Sequence, residues 1–208
     1  MVMEDAYMQD LKRTTEYTGV HPQKFALWAA MASMTMFFAA LTSALILKKG
    51  DFKSWENFKL PNIFLLSTLL IVGVSVALHA SLICYRQAKF TAFRWLLFLG
   101  LLLGVAFLLS QWLGFGALKA MGFPLTGNIA GQFIYLVASL HGLHIAVALL
   151  VTLAVLVFAI RARKDELFEL RDIINPKRQL HIELLVTFWH YIDIVWIYLY
   201  VFFYLNYQ

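Results

Sequence analysis

The last apolar stretch of the sequence contains three ionisable residues whose spacing could support proton or metal chemistry. Glu183, His190 and Asp193 are spaced i, i+7 and i+10. In a helix, at about 100° per residue, they would share one broad face. A charge near the middle of a bilayer costs about 2.5 kcal/mol or more, so such residues need a polar partner or a function.

A second set of histidines lies in earlier apolar stretches. His141 and His144 are one helical turn apart and would be neighbours on one helix, and His79 stands in another stretch. Three kinds of chemistry fit these residues. Asp193 and the histidines could hydrogen-bond one another and lock the bundle, since buried polar groups are normally satisfied internally. They could also form a proton relay, or His190 could ligate a haem together with a histidine of the earlier pair.

The composition places these residues in an integral membrane protein. Of the 208 residues, 62% are hydrophobic and only 14% are charged, and the mean hydropathy is +0.74. Soluble domains are about 45–50% apolar and about 25% charged. A single cysteine, Cys84, excludes an intramolecular disulfide and any metal site built on cysteine pairs.

Five apolar runs are each long enough, at about 20 residues, to span a bilayer as a helix. Helices are the expected form because unpaired strand edges cannot face lipid. The predicted fold is therefore an all-α polytopic protein in which a polar segment, 1–24, has no signal-peptide character and precedes one transmembrane domain, 25–205. The predicted spans are 25–47, 62–85, 95–118, 128–160 and 180–205.

The distribution of basic residues predicts the orientation. Twelve of the 17 lysines and arginines fall in the N-terminal segment and the second and fourth loops. The positive-inside bias places that side, and the N-terminus, in the cytoplasm and the C-terminus outside. This explains the pI near 9.3 without a nucleic-acid partner. Glu183 then lies near the cytoplasmic interface, His79 nearer that end of its helix, and the other ionisable residues near mid-depth.

The cytoplasmic excess of basic residues also favours contact with anionic phospholipid. Each basic residue near a membrane surface attracts anionic headgroups by about 1 kcal/mol. The candidates are His21, Lys24 and Arg161, with Glu183 as a supporting residue, although topology determination alone explains the same excess. Within the third run, Gly100-x-x-x-Gly104 permits close helix contact, either inside this chain or with another.

Several segments resemble subunit III of the haem-copper respiratory oxidases, over about 24–205. The segment from Phe188 to Trp196, FWHYIDIVW, is similar to the family's W-H-(F/Y)-(V/I)-D-x-V-W motif, and Glu183 stands seven residues before His190 as in the family. HGLH, from His141 to His144, is identical to a family helix motif. Weaker likenesses are Ser75 to Ser81, which contains His79, and the glycine-bearing helix that ends at Gln111.

The chain departs from the family pattern at two places. Met34 stands where the family has a carboxylate, within Ser33-Met34-Thr35-Met36-Phe37-Phe38, and Gly114 stands near a family glutamate. A role that depends on either acid is not expected here. The chain resembles the five-helix bacterial form, which lacks the first two helices of the seven-helix form. Subunit I can supply those two helices.

The resemblance implies a non-catalytic accessory subunit of a proton-pumping terminal oxidase, a translocase that reduces oxygen to water in the bacterial inner membrane. The subunit would bind no metal or cofactor, and haem and copper would reside in subunits I and II. It would pack directly on subunit I, and its other partners would be subunit II, small subunits and a respiratory supercomplex. It would also hold phospholipid, and it would support assembly and sustained proton uptake. In this role His79, His141, His144, Glu183, His190 and Asp193 are structural or proton-related residues.

Two other functions remain open from the residues alone. The chain could be a haem-bearing membrane anchor of a respiratory dehydrogenase, with His141 or His144 and His190 as axial ligands. It could also be a small transporter with Asp193 as its proton site. Haem absorption of the purified chain would distinguish the first, and transport by the isolated chain in vesicles would distinguish the second.

Overall fold

The computed structural model describes residues 21–51, 59–126, 129–162 and 176–207. These residues form five long helices, and each is long and apolar enough to cross a membrane. The prediction of an all-α, five-span protein is thereby confirmed, while the orientation of the termini stays a prediction. The helices are α1 (Pro22–Asp51), α2 (Ile63–Arg86), α3 (Phe90–Ala120), α4 (Ile129–Ala162) and α5 (Pro176–Tyr207).

The helices extend beyond the apolar runs because polar residues continue them at their ends. Both α1 and α5 begin at a proline, which suits the first helical position since its missing N–H would have no intrahelical partner there. α5 begins several residues before the predicted span and carries Gln179 and Glu183 in its first two turns. Side chains in these polar ends join the helices at one membrane surface.

α5 occupies the centre of the bundle and α1 its edge. α5 packs against α1, α2 and α4, whereas α3 packs against α2 and α4. In the most apolar part of α5, 44% of residues are buried inside the chain, against 17% in α1. The last helix, which carries most of the ionisable residues, is therefore the one around which the others are arranged.

Glycines bring α3 close to its neighbours inside the chain. A Cβ at Gly100 would lie 2.8 Å from Leu78 Cδ2, and one at Gly104 would lie 2.7 Å from Leu149 Cδ2. The GxxxG pair thus packs α3 against α2 and α4 of the same chain. A Cβ at Gly114 would meet the Phe64 ring at 3.0 Å. The position near the family glutamate is therefore closed by a phenylalanine of α2.

Candidate functional site: polar clusters in the helix bundle

One cluster of charges joins three helices at the membrane surface where α1 and α5 begin and α2 ends. The guanidinium of Arg86 donates from Nη2 to Glu183 Oε1 at 2.9 Å, and Gln179 Nε2 donates to the same oxygen at 2.9 Å. Lys24 Nζ lies 3.9 Å from Glu183 Oε2. A single carboxylate that is 23% exposed thus meets two cations, one from α1 and one from α2. We call Lys24, Arg86, Gln179 and Glu183 the surface cluster.

The second cluster lies about two helical turns deeper and joins α2 to α5. His190 Nε2 and His79 Nδ1 are 3.2 Å apart, and the other ring nitrogen of His190, Nδ1, is hydrogen-bonded to the Ser75 hydroxyl. If both rings are neutral, one nitrogen of the facing pair donates and the other accepts. Ser75, His190 and His79 therefore form a continuous hydrogen-bonded chain, from a half-buried serine to an exposed histidine. We call it the serine–histidine chain.

The third set of polar residues is deeply buried and largely without hydrogen bonds to the described residues. His141 is fully buried, stacks on Trp196 with ring centroids 5.3 Å apart, and meets the edges of Phe38 and Phe107. Neither of its nitrogens forms a hydrogen bond with the part of the chain that the structure describes. Both carboxyl oxygens of Asp193, which is 4% exposed, and the amide of Gln111 also lack a well-formed hydrogen bond within the described residues, although the Ser75 hydroxyl lies beside the Asp193 carboxyl.

This arrangement contradicts one expectation drawn from depth. The predicted hydrogen bonding between Asp193 and the histidines is not found among the described residues, so for Asp193 that prediction is wrong. His141 faces aromatic rings, and His144 is half-buried with its Nδ1 bonded to the Leu140 carbonyl of its own helix at 2.7 Å. The reason is the rotation of each helix about its own axis. Depth places residues at one level, but the direction of each side chain around its helix decides which of them meet.

The six polar residues therefore divide into three groups. Glu183 belongs to the surface cluster, and His79 and His190 form a direct pair, with Asp193 beside the Ser75 hydroxyl that bonds His190. His141 and His144 lie against the aromatic core. Among the lipid candidates, Lys24 contacts Glu183, and Arg161 lies exposed at the end of α4. The ring of His21 accepts a hydrogen bond from the backbone N–H of Gln23 at the start of α1.

Sequence reasoning missed the contribution of the aromatic residues of α5. Tyr191 and Tyr198 carry hydroxyls that hydrogen-bond α1, at the Met31 carbonyl at 2.7 Å and the Thr42 hydroxyl at 2.8 Å respectively. The indoles of Trp189 and Trp196 donate to threonines of α4 and α2, and Tyr207 donates to the Ala130 carbonyl at 2.6 Å. The aromatic rings thus combine burial with a polar tip that finds a partner.

Ser75 and Arg86 were missed as well, and a signal for them exists. Ser75, His79 and Arg86 are spaced i, i+4 and i+11, which places all three on one face of α2. Glu183 and His190 are spaced by seven on α5. Antiparallel alignment of these two faces pairs Arg86 with Glu183 and both Ser75 and His79 with His190, as the structure shows.

No arrangement of these groups resembles a metal or haem site. Within the described ranges there is no group of three or more histidine, cysteine, aspartate or glutamate side chains that could hold a metal ion. A haem between two histidines requires axial ligands that face each other from opposite sides of the macrocycle plane, with the iron between them. His190 is instead bonded directly to His79 and Ser75, and His141 is enclosed by aromatic rings.

The fold and these clusters define a polytopic membrane protein whose ionisable residues join its helices. Comparison with known proteins gives the family. A family model described as Cytochrome c oxidase subunit III matches residues 5–207, so the chain belongs to this family.

Individual relatives agree. The chain is 25% identical to Cytochrome c oxidase subunit 3 of Bacillus subtilis, with 93% of this chain and 95% of the relative covered. It is 22% identical to the protein of the same name from Thermostichus vulcanus, with 89% of both covered. It is 30% identical to Cytochrome bo(3) ubiquinol oxidase subunit 3 of Pseudomonas aeruginosa, over 83% of this chain and 79% of that protein. Nothing in these comparisons supports a dehydrogenase anchor.

Proposed function

We propose that this chain is subunit III of a haem-copper terminal oxidase that reduces oxygen to water and pumps protons across the bacterial inner membrane. The observation that carries the proposal is the family match over residues 5–207. Its relatives include subunits of both cytochrome c oxidases and a ubiquinol oxidase. Copurification of a partner with a two-cysteine copper domain would assign cytochrome c as the electron donor, and its absence from the complex would assign quinol.

In this proposal the chain is a non-catalytic subunit, and the redox centres reside in subunits I and II. Its side chains hold the bundle together and present a stable surface to subunit I. Two observations support that role. The ion pairs of the surface cluster join α1, α2 and α5 at one membrane surface. Deeper in the membrane, the hydroxyl and indole N–H groups of the α5 aromatic residues form hydrogen bonds with α1, α2 and α4.

The proposed support of proton uptake involves the residues that exchange protons. The serine–histidine chain ends at an exposed imidazole on the side where α2 ends, which is the predicted cytoplasmic side. His21 and Lys24 at the start of α1, and Arg161 at the end of α4, would hold anionic phospholipid at the same surface. Because Met34 replaces the family acid, this support does not require a carboxylate at position 34.

Deletion of the gene for this chain tests the proposal. We expect the remaining oxidase to keep its haem and copper spectra and its initial rate of electron transfer. Proton uptake, and activity during prolonged turnover, should decline faster than in the intact enzyme. Re-expression of the parent chain should restore both, which controls for damage during preparation.

Two outcomes would contradict this function. Loss of haem absorption beyond the loss of assembled complex would favour the haem-bearing anchor. Proton-coupled transport by the isolated chain in vesicles, abolished by Asp193→Asn, would favour the transporter. Each assay has a positive control in the intact oxidase, whose haem spectrum and proton pumping are measured in the same preparation.

A further inference from the structure

Polar groups line the seam between α2 and α5 from the surface cluster inward. Arg86 and Glu183 form the outermost pair. His79 and His190 lie seven residues deeper along the two helices, which is about 10 Å at 1.5 Å per residue. Ser75 lies one further turn along α2 and is hydrogen-bonded to His190 Nδ1. The seam therefore continues the surface cluster into the bundle.

Asp193 forms the buried end of this seam. It follows His190 by three residues on α5, is 4% exposed, and has the Ser75 hydroxyl beside its carboxyl. Within the described residues no cation faces it and neither oxygen has a well-formed hydrogen bond. On the α4 side, His141 stacks on Trp196, three residues further along α5. A buried carboxylate without a cation is costly, so a proton donor within reach would stabilise it.

The hydrogen bonds of the seam have two possible directions, and the charge of Asp193 selects between them. An ionised carboxylate only accepts, so the Ser75 hydroxyl donates to it and accepts from His190 Nδ1–H. His190 Nε2 then has no proton and accepts from His79 Nδ1–H, 3.2 Å away, which leaves His79 Nε2 without a proton. A neutral carboxyl donates to Ser75 Oγ instead and reverses every bond, so the proton of His79 then stands on Nε2.

From this geometry we infer that the seam is a proton wire, which takes up a proton at His79 Nε2 and stores one on the Asp193 carboxyl. As the proton binds, the Nδ1 proton of His79 passes to His190 Nε2, and the Nδ1 proton of His190 passes to Ser75 Oγ. The hydroxyl proton of Ser75 passes to the carboxylate. Four N–H or O–H bonds form and three break, so one proton is gained and both imidazoles stay neutral. Release reverses the same steps.

Exposure decides which end of the wire is the entry. The imidazole of His79 is exposed, Ser75 and His190 are half-buried, and Asp193 is almost fully buried. The wire therefore leads from a group that this chain leaves uncovered to one that it encloses. The inference rests on the proposed function only for the use of the stored proton, which is to buffer the supply of protons to subunit I.

Proton exchange at Asp193 in the resting, purified oxidase complex tests the inference. Infrared spectroscopy measures the carbonyl band of the protonated carboxyl, which is assigned by its loss in Asp193→Asn and which shifts when heavy water replaces water. Ser75→Ala removes the hydroxyl between His190 and Asp193. We expect it to slow that shift about a hundredfold, the lower end of what one positioned proton-transfer group contributes. Ser81→Ala is the matched control and should leave exchange unchanged, because the Ser81 hydroxyl is buried on the same helix and donates to the Leu78 carbonyl.

Two further variants separate proton transfer from packing. Ser75→Thr keeps a hydroxyl and should preserve exchange. His79→Gln has no ring to pass a proton between two nitrogens and should slow exchange as Ser75→Ala does, while the haem spectrum reports that the complex is assembled. Equal exchange in Ser75→Ala and Ser81→Ala would overturn the inference. So would the lack of an Asp193 band at both acid and alkaline pH, since no proton would then be stored.

The same measurement distinguishes failure of the wire from failure of the proposed function, because it needs no turnover. Exchange that depends on Ser75, in an oxidase whose proton uptake survives deletion of this chain, would confirm the wire and refute only the proposed support of proton uptake.

Discussion

The surface cluster and the aromatic core treat their polar residues in opposite ways. Glu183 contacts the cations of Arg86 and Lys24, which join α5 to α2 and α1. It also accepts a hydrogen bond from the side-chain amide of Gln179, which belongs to α5 itself. Asp193 is ten residues further along the same helix and is almost fully buried. Within the described residues it forms no well-formed hydrogen bond and faces no cation, and its polar neighbour is the Ser75 hydroxyl. Two carboxyl groups of the same helix therefore contribute differently to the bundle.

The largest expected effect comes from adding a carboxyl group to α1, the helix at the edge of the bundle. Met34→Glu restores the family acid on α1, but at mid-depth an acid costs about 2.5 kcal/mol or more. We expect less assembled complex, with little change in turnover per assembled enzyme. Haem-normalised activity and the yield of complex measure the two effects. Met34→Gln, of similar size and without charge, is the control. A gain in sustained turnover with Met34→Glu would show that the acid has a role after all.

The next largest effect is expected at His190, because its substitution would leave Ser75 and His79 without their hydrogen-bond partner. His190→Leu removes the links to Ser75 and His79, and a buried polar group that loses its partner costs about 1–3 kcal/mol. We expect lower thermal stability of the complex. His144→Leu is the matched control, because the described bond of His144 goes only to the Leu140 carbonyl of its own helix. Equal losses in the two variants would contradict the distinction between linking and non-linking histidines.

A smaller effect is expected in the surface cluster. Glu183→Gln keeps the size and one acceptor oxygen but removes the charge that Arg86 and Lys24 face. Because the cluster is partly exposed, the loss should be at most about 1 kcal/mol and should shrink as salt is added. Thermal unfolding of the complex at low and high ionic strength measures it. A loss that is independent of salt would show that Glu183 acts through shape or hydrogen bonding instead of charge.

The smallest effect is expected at Asp193. Asp193→Asn preserves the volume and keeps one side-chain oxygen that can face the Ser75 hydroxyl, and within the described residues no cation pairs with Asp193. The stability of the complex should therefore change by no more than about 0.5 kcal/mol, the lower end of what one hydrogen bond contributes. A thermal shift assay of the parent and the variant, prepared in parallel, decides the point. A loss above about 2 kcal/mol would demonstrate that Asp193 gains a partner, such as a group of subunit I, in the assembled oxidase.

The amino-acid sequence by itself determined the five helices and the family. Apolar runs of bilayer length admit only helices in lipid, and the motifs at Phe188–Trp196 and His141–His144 carry the resemblance that the family match confirms. Spacing along one helix was enough to group Glu183 with His190, because helical periodicity is local.

Only the tertiary structure decided which of these residues meet. The stacking of His141 on Trp196 and the position of Asp193 beside Ser75 depend on how each helix is rotated about its axis. That rotation follows from packing, such as the close approach of Leu78 and Leu149 to Gly100 and Gly104. Hydropathy carries no information on it, because these helices are apolar nearly all round and no face stands out in the sequence.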